Sequence, residues 1–314
     1  MARKRLLTGL QSSGTLHIGN YFGALKPFLD CYQEYDSFLM VADYHALTSL
    51  RDPDAMRENI ISVVKDYLAV GVDPAQCVIF RQSDNPDHTE LAWILNCMVS
   101  VPFLQQAHAY KDKVAKGLEA NAGLFTYPML QAADITLYEA AVVPVGEDQR
   151  QHLEYTREAV GKLNRAYHAE LLTAPQELIL EGVGIVPGLD GEKMSKSKGN
   201  TIPLFGTPAE IEQAVKRIVT DSTGERPVHV YAIHRLLKSA AELEPVYETH
   251  RGQYGALKEL LAADLIAYTE PMRARRAAIS DEDVKAVLAD GLTRARAISS
   301  QTLARVRDAI GISI

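Results

Sequence analysis

Within five residues, Lys193-Met194-Ser195-Lys196-Ser197 bring together two ammonium groups and two hydroxyls. They fall in a segment, 182–199, that holds five glycines and one proline. Compact donors on a glycine-rich loop can converge on phosphate oxygens, so this segment is expected to clamp a polyphosphate. Far upstream, Gly14-Thr15-Leu16-His17-Ile18-Gly19-Asn20 follows the apolar pair Leu6 and Leu7 and opens an amphipathic stretch. That order reads as strand, glycine turn and helix start, the place where open α/β folds bind nucleotides. His17 and Asn20 stand three apart and so share one helix face, where both can donate to phosphate or ribose oxygens. Gly19, without a side chain, would let a flat base approach the backbone. Asp134 is surrounded by apolar Ala132, Ala133, Ile135 and Leu137, which points its carboxylate inward as an acceptor.

The elements that must position these groups alternate over the first 150 or so residues. Short apolar runs at 5–9, 37–42, 76–82 and 141–145 are expected strands, and amphipathic runs at 19–33, 53–70, 89–99, 128–138 and 148–168 are expected helices. Strands alternating with helices imply an α/β fold with a doubly wound parallel sheet. The charged, glycine-containing segment 111–123 is expected to be a mobile connection. From about residue 208 the pattern is helical only, as in 256–268 and 281–307, so a C-terminal helical domain is expected. The resulting division is a catalytic domain over 1–190, the lysine loop and hinge over 191–205, and the helical domain over 206–314.

Bulk properties narrow the function classes. With 314 residues, 47% hydrophobic and 23% charged, the chain falls in the globular range, and no window approaches a membrane span. The basic start Met1-Ala2-Arg3-Lys4-Arg5 is interrupted by Thr8, Gly9, Gln11, Ser12 and Ser13, so export is not expected and the location is expected to be cytoplasmic. Cys31, Cys77 and Cys97 lack metal-ligand spacing and are expected to be buried or free thiols. A net charge of −7 argues against a general coat for nucleic acid. Residues 251–314, however, carry ten Lys plus Arg against eight Asp plus Glu. RNA contact is therefore expected to be local, through Arg273, Arg275, Arg276, Arg294, Arg296, Arg305 and Arg307, unless these simply solvate helix faces.

The two motifs together resemble the class I aminoacyl-tRNA synthetases, and within them the bacterial tryptophanyl-tRNA synthetase family. The matching stretches run in family order: Gly9-Leu10-Gln11-Ser12-Ser13-Gly14, Gly19-Asn20-Tyr21-Phe22-Gly23-Ala24-Leu25, Asp43-Tyr44-His45-Ala46-Leu47-Thr48, Thr126-Tyr127-Pro128, Ala132-Ala133-Asp134-Ile135, and Pro144 to His152. Two positions depart from the pattern: Ser12 replaces a proline, and Gln131 stands where many relatives have methionine.

The resemblance implies a Rossmann-type catalytic domain that activates tryptophan with ATP and transfers it to tRNA(Trp), with magnesium held largely by the ATP phosphates and no dedicated metal cage. Lys193, Lys196, Ser195, His17 and Asn20 are then the catalytic groups. Gln11, Ser13, Gly19, Gly146, Asp148, Met194 and Ser197 join them around ATP. Leu7, Gly9, His45, Tyr127, Gln131, Asp134, Val143 and Gln149 are the expected tryptophan pocket, with Asp134 accepting the indole N–H. Tyrosyl enzymes resemble the chain around Gly9 but place a hydrogen-bonding tyrosine where Leu7 stands, so tyrosine is the second reading. A nucleotidylyltransferase acting on a small acid and a non-catalytic paralogue are more distant alternatives. A homodimer is expected through Ile94, Met98, Val101, Phe103 and Leu104.

Overall fold

A computed structural model describes residues 3–11, 14–117, 120–144, 150–178, 186–220 and 226–314. Five parallel strands, β1 (Arg5–Gln11), β2 (Asp36–Ala42), β3 (Cys77–Arg81), β4 (Val142–Pro144) and β5 (Gln176–Leu178), lie in the order β3-β2-β1-β4-β5. The order reverses between β1 and β4, which opens a ligand crevice at their carboxyl ends. β2 is buried at six of its seven positions, as expected for a central strand covered on both faces. The first four strands match the expected runs to within two residues, while β5 is an addition.

The helices before the lysine loop are α1 (Ile18–Asn20), α2 (Lys26–Cys31), α3 (Asp43–Ala46), α4 (Pro53–Val70), α5 (Asp87–Asn96), α6 (Val101–Leu104), α7 (His108–Ala115), α8 (Ala122–Leu137) and α9 (Arg150–Ala166). A single π-helical turn, Tyr21–Leu25, joins α1 to α2. α4 shows how local chemistry sets boundaries: Asp52 accepts from the N–H groups of Asp54 and Ala55, Pro53 opens the helix, and Gly71 closes it at φ 108°. The expected mobile connection at 111–123 is in part helical, because α7 continues to Ala115.

After the loop come α10 (Pro208–Lys216), α11 (Val228–His234), α12 (Ala240–Thr249), α13 (Tyr254–Ala278) and α14 (Asp281–Ala309). Their core is continuous with that of the sheet. One hydrophobic cluster holds Leu6, Ile18 and Leu39 together with Met194, Ile202, Leu257 and Val284. α14 runs along the outer edge of β3, where Gly291 allows backbone contact: a Cβ there would stand 1.7 Å from the carbonyl oxygen of Ile79.

Most of the arginines expected to meet RNA bond within the protein, while Arg296 is exposed. Arg275 donates to the Ala69 carbonyl, Arg276 to Asp66 and Ser62, Arg294 to the Pro74 carbonyl, and Arg305 to the Leu171 carbonyl and Glu139. Arg307 pairs with Glu90, and Arg273 bonds within its own helix. Such guanidiniums satisfy carbonyls and carboxylates at a packed boundary, so their presence in sequence did not measure a free basic surface.

Candidate functional site

The two signature segments are joined by backbone. Ile18 N–H donates to the Ile202 carbonyl at 3.0 Å, and Leu204 N–H donates to the Leu16 carbonyl at 3.0 Å. His17 therefore sits beside the strand-like stretch that follows the lysine loop. Its ring caps the helix: Nδ1 accepts the backbone N–H of Asn20 at 3.2 Å, while Asn20 Oδ1 accepts the His17 N–H at 3.2 Å. An accepting Nδ1 puts the proton of the neutral ring on Nε2, which is then the donor left for a phosphate. Burial first, and the charge of Lys196 second, push the His17 pKa down to about 4, so the ring is neutral at physiological pH.

Gly19 also makes room for the lysine loop. A Cβ there would meet His17 Nδ1 at 2.8 Å and Met194 Cβ at 3.1 Å, so the missing side chain lets the lysine loop close over the helix start. Met194, 4% exposed, is the apolar anchor of that loop, and its N–H donates to the Val186 carbonyl. Buried Asn200, which the sequence reading missed, latches the same loop: its Oδ1 accepts from Ser195 N–H at 2.7 Å, and its Nδ2 donates to Asp190 at 2.7 Å. Ser195 and Ser197 hydroxyls meet at 2.9 Å, and Lys196 Nζ reaches back to the Gly14 carbonyl at 2.8 Å. Lys193 is exposed on the loop, and Gln11 is exposed at the end of β1. The arrangement gathers ammonium and hydroxyl donors at the sheet's switch point, where they can bind phosphate oxygens.

A second group of side chains lies on the other face of β1. Leu7 and Val143 occupy one hydrophobic cluster with Phe38, Met40, Met129, Ala132 and Ala133. Gly9 allows β2 to approach closely, since a Cβ there would lie 2.7 Å from the Met40 carbonyl oxygen. On the helix packed into this cluster, Tyr127, Gln131, Asp134 and Tyr138 follow one another at helical spacing along α8 and the residue after it, so they share a stripe. Pro128 lies inside that helix rather than at its start. Tyr127 and Gln131 are half-buried, and the Tyr127 hydroxyl contacts His152 at 3.3 Å.

Asp134 is buried at 1% exposure and accepts from three side chains: His45 Nε2 at 2.7 Å on Oδ2, and Gln82 Nε2 at 2.8 Å and His88 Nδ1 at 2.6 Å on Oδ1. Burial alone would raise its pKa, but the hydrogen bonds from His45 and His88 outweigh it and hold the carboxyl at about 2. An ionised carboxylate set in apolar walls can only accept hydrogen bonds, so it suits a ligand that is flat, apolar and carries one N–H or O–H. Gln82 and His88 were not legible as site residues, because their partner lies 52 and 46 positions away in the chain. Ser13, Gly146, Asp148 and Gln149, four expected contacts, lie outside the described residues.

A parallel sheet in this order, with a histidine turn and a lysine-serine loop joined across its switch point, defines a class I aminoacyl-tRNA synthetase. The family described as tRNA synthetases class I (W and Y) matches residues 2–289, and the chain belongs to it. The chain is 44% identical to the Tryptophan--tRNA ligase of Fusobacterium nucleatum, with 98% of each chain covered. It is 41% identical to that of Rhodopirellula baltica, covering 98% of this chain and 99% of the other. Among solved structures, the tryptophanyl-tRNA synthetase of Campylobacter jejuni complexed with ADP and tryptophan superposes with a TM-score of 0.91 at 38% identity, covering 98% of this chain and 99% of that one.

Proposed function

We propose that the chain activates tryptophan with ATP to tryptophanyl-adenylate and transfers the tryptophanyl group to the 3′ end of tRNA(Trp). The observation that carries the reading is Asp134, an ionised buried acceptor on a helix whose Met129, Ala132 and Ala133 share one hydrophobic cluster with Leu7 and Val143. The near full-length similarity to tryptophan ligases supports it. Indole presents one N–H on an otherwise apolar ring, and Oδ2, which accepts from His45, has a second acceptor site for it. Tyr127 and Gln149 serve the substrate ammonium, while Gln131 completes the wall.

The substrate carboxylate is already a nucleophile, so the first step needs no enzymic base. It attacks the α-phosphorus, the bond to pyrophosphate breaks, and negative charge moves onto the departing oxygens. Lys193, Lys196, Ser195, Ser197 and the Nε2–H of His17 stabilise that charge, with Asn20 capping the histidine and donating beside it. Gln11, Ser13, Gly19, Gly146 and Asp148 hold adenosine and ribose, with Met194 as the hinge point of the clamp. The donors that the chain brings to this site are ammonium and hydroxyl groups, which suit phosphate rather than a cation, so a magnesium ion would be carried by ATP and would supply neutralisation of phosphate charge. In the second step the terminal ribose hydroxyl of the tRNA attacks the carbonyl and AMP leaves.

The tRNA is engaged through the helical region 206–314, which we treat as a unit joined by 191–205 to the catalytic part at 1–190. The reading carries a cytoplasmic location with it, where tRNA is charged; among the described residues no helix is long and apolar enough to cross a membrane. A homodimer is also proposed, with a revised surface. Ile94 and Leu104 are buried at 7% and 4%, whereas Trp93 at 71% and Val101 at 58% stand exposed beside half-buried Met98 and Phe103.

The test is Asp134→Asn, assayed with tryptophan and with an analogue in which sulfur replaces the indole nitrogen. The amide weakens the acceptor, so the kcat/KM ratio of tryptophan to analogue should fall about tenfold. An unchanged ratio would show that Asp134 does not read the indole.

A further inference from the structure

Behind Asp134, a buried polar chain runs from α8 to the C-terminal helix. Gln82, Asn85, His88, Tyr138 and Ser299 are all fully buried. Groups that can act in only one sense set the direction of every link. The backbone N–H of Asp87 must donate, and it reaches Asn85 Oδ1 at 3.3 Å. The Asn85 amide nitrogen therefore faces Tyr138 Oη at 3.1 Å and Ser299 Oγ at 2.9 Å. Tyr138 accepts there, which leaves its hydroxyl proton for His88 Nε2 at 2.7 Å, the sense in which the neutral ring's Nδ1 donates to the ionised Asp134. With Nε2 accepting, the His88 proton is on Nδ1, 2.6 Å from Asp134 Oδ1. In the other direction Ser299 donates to Asp87 Oδ2 at 2.6 Å. Gln82 is oriented in the same manner: its Oε1 accepts the Tyr44 backbone N–H at 3.1 Å, which turns its Nε2 to Asp134 Oδ1 at 2.8 Å. A carboxylate oxygen has about two acceptor sites, so Oδ1 is saturated while Oδ2, facing His45, is not.

We propose that His88 is a positioning residue for tryptophan selection: locked as the Nδ1–H tautomer by Tyr138, it saturates Asp134 Oδ1 and leaves Oδ2 as the one acceptor the indole N–H can meet. The inference rests on the reading of Asp134 given above. Ser299, on α14, anchors the far end of the chain, so a helix of the C-terminal region takes part in fixing the polarity of the amino-acid pocket.

Two substitutions at His88 separate positioning from packing. In His88→Asn the amide nitrogen falls near the place of Nδ1 and keeps the bond to Asp134; in His88→Gln it falls near Nε2 and loses that bond. Pyrophosphate exchange of the full chain is measured with tryptophan and with the sulfur analogue. His88→Gln should lower the ratio of their kcat/KM values about tenfold, mostly through KM for tryptophan, and His88→Asn should stay within about threefold of the parent. Tyr138→Phe, which removes a hydroxyl and little volume, should fall between them. In the unmutated chain, nitrogen NMR of the His88 ring should show the proton on Nδ1; a proton on Nε2 overturns the inference whatever the variants do. An unchanged ratio in His88→Gln while Asp134→Asn lowers it also overturns it and leaves the Asp134 reading standing. If neither variant changes the ratio, both fail. Equal losses in His88→Asn and His88→Gln, matched by equal drops in thermal midpoint, would mark His88 as packing alone.

Discussion

Arg276 on α13 donates to Asp66 on α4 at 2.5 Å, tying together side chains 210 residues apart. The same guanidinium reaches Ser62 at 2.7 Å and lies over the Phe205 ring at 5.2 Å. Asp66 is fully buried, and burial pushes its carboxyl pKa up while Arg276 opposes the shift. Arg276→Met would leave that carboxylate without its cation, at a cost of about 3 kcal/mol. Chemical denaturation should show this loss, with exchange and tRNA charging declining together; charging lost alone, with stability intact, would return Arg276 to an RNA-contact role.

The state of His17 can be read from pH. Its folded pKa of about 4 lies below the ordinary 6.5, so the unfolded chain binds more protons between those values. The stability it contributes is complete above pH 6.5 and is lost as pH falls toward 4, at most about 3 kcal/mol over the window. His17→Gln should flatten the stability profile in that range. Lys196→Met removes the secondary cause, and proton NMR should then find the His17 pKa higher; a ring titrating near 6.5 in the parent would contradict the capped, neutral histidine.

Lys196 is expected to act on the reaction more than on binding. Its ammonium reaches the Gly14 carbonyl, at the turn where the phosphates would lie. Lys196→Ala should therefore lower kcat for adenylate formation at least about a hundredfold while tryptophan Kd changes less than about threefold. Pre-steady-state measurement of adenylate formation separates the two. Equal rates at saturating substrate would remove Lys196 from the mechanism.

Trp93 is the chain's single tryptophan and is 71% exposed. An apolar ring of that size standing out from α5, with Val101 also exposed at the start of α6, suits a symmetric interface. Trp93→Glu should convert the dimer to a monomer in sedimentation equilibrium. A parent that is monomeric at micromolar concentration would overturn the assignment.

Legibility in the sequence followed the range of the interactions. α4 could be placed at its true ends because Asp52, Pro53 and Gly71 act within a few residues of them. β5 could not, since Gln176–Leu178 is short and polar and is held by pairing with β4. The lysine loop and the glycine turn were visible as strings, but their backbone union through Ile18 and Ile202 spans most of the catalytic region. Asp134 was identifiable from its apolar neighbours. Gln82, His88 and Asn200 gave no local signal, because their significance lies in partners that only folding supplies. The tail arginines were half legible for the same reason: charge is visible in a sequence, and the carbonyls and carboxylates that take it up are not.

The central claim is that an apolar slot with one ionised acceptor selects tryptophan for activation by ATP. Amino-acid-dependent ATP–pyrophosphate exchange, run with all twenty amino acids on the purified chain, tests it most directly. The account predicts strong exchange with tryptophan alone, with tyrosine at least about a hundredfold weaker in kcat/KM. Robust exchange with tyrosine, or none with tryptophan, would contradict it.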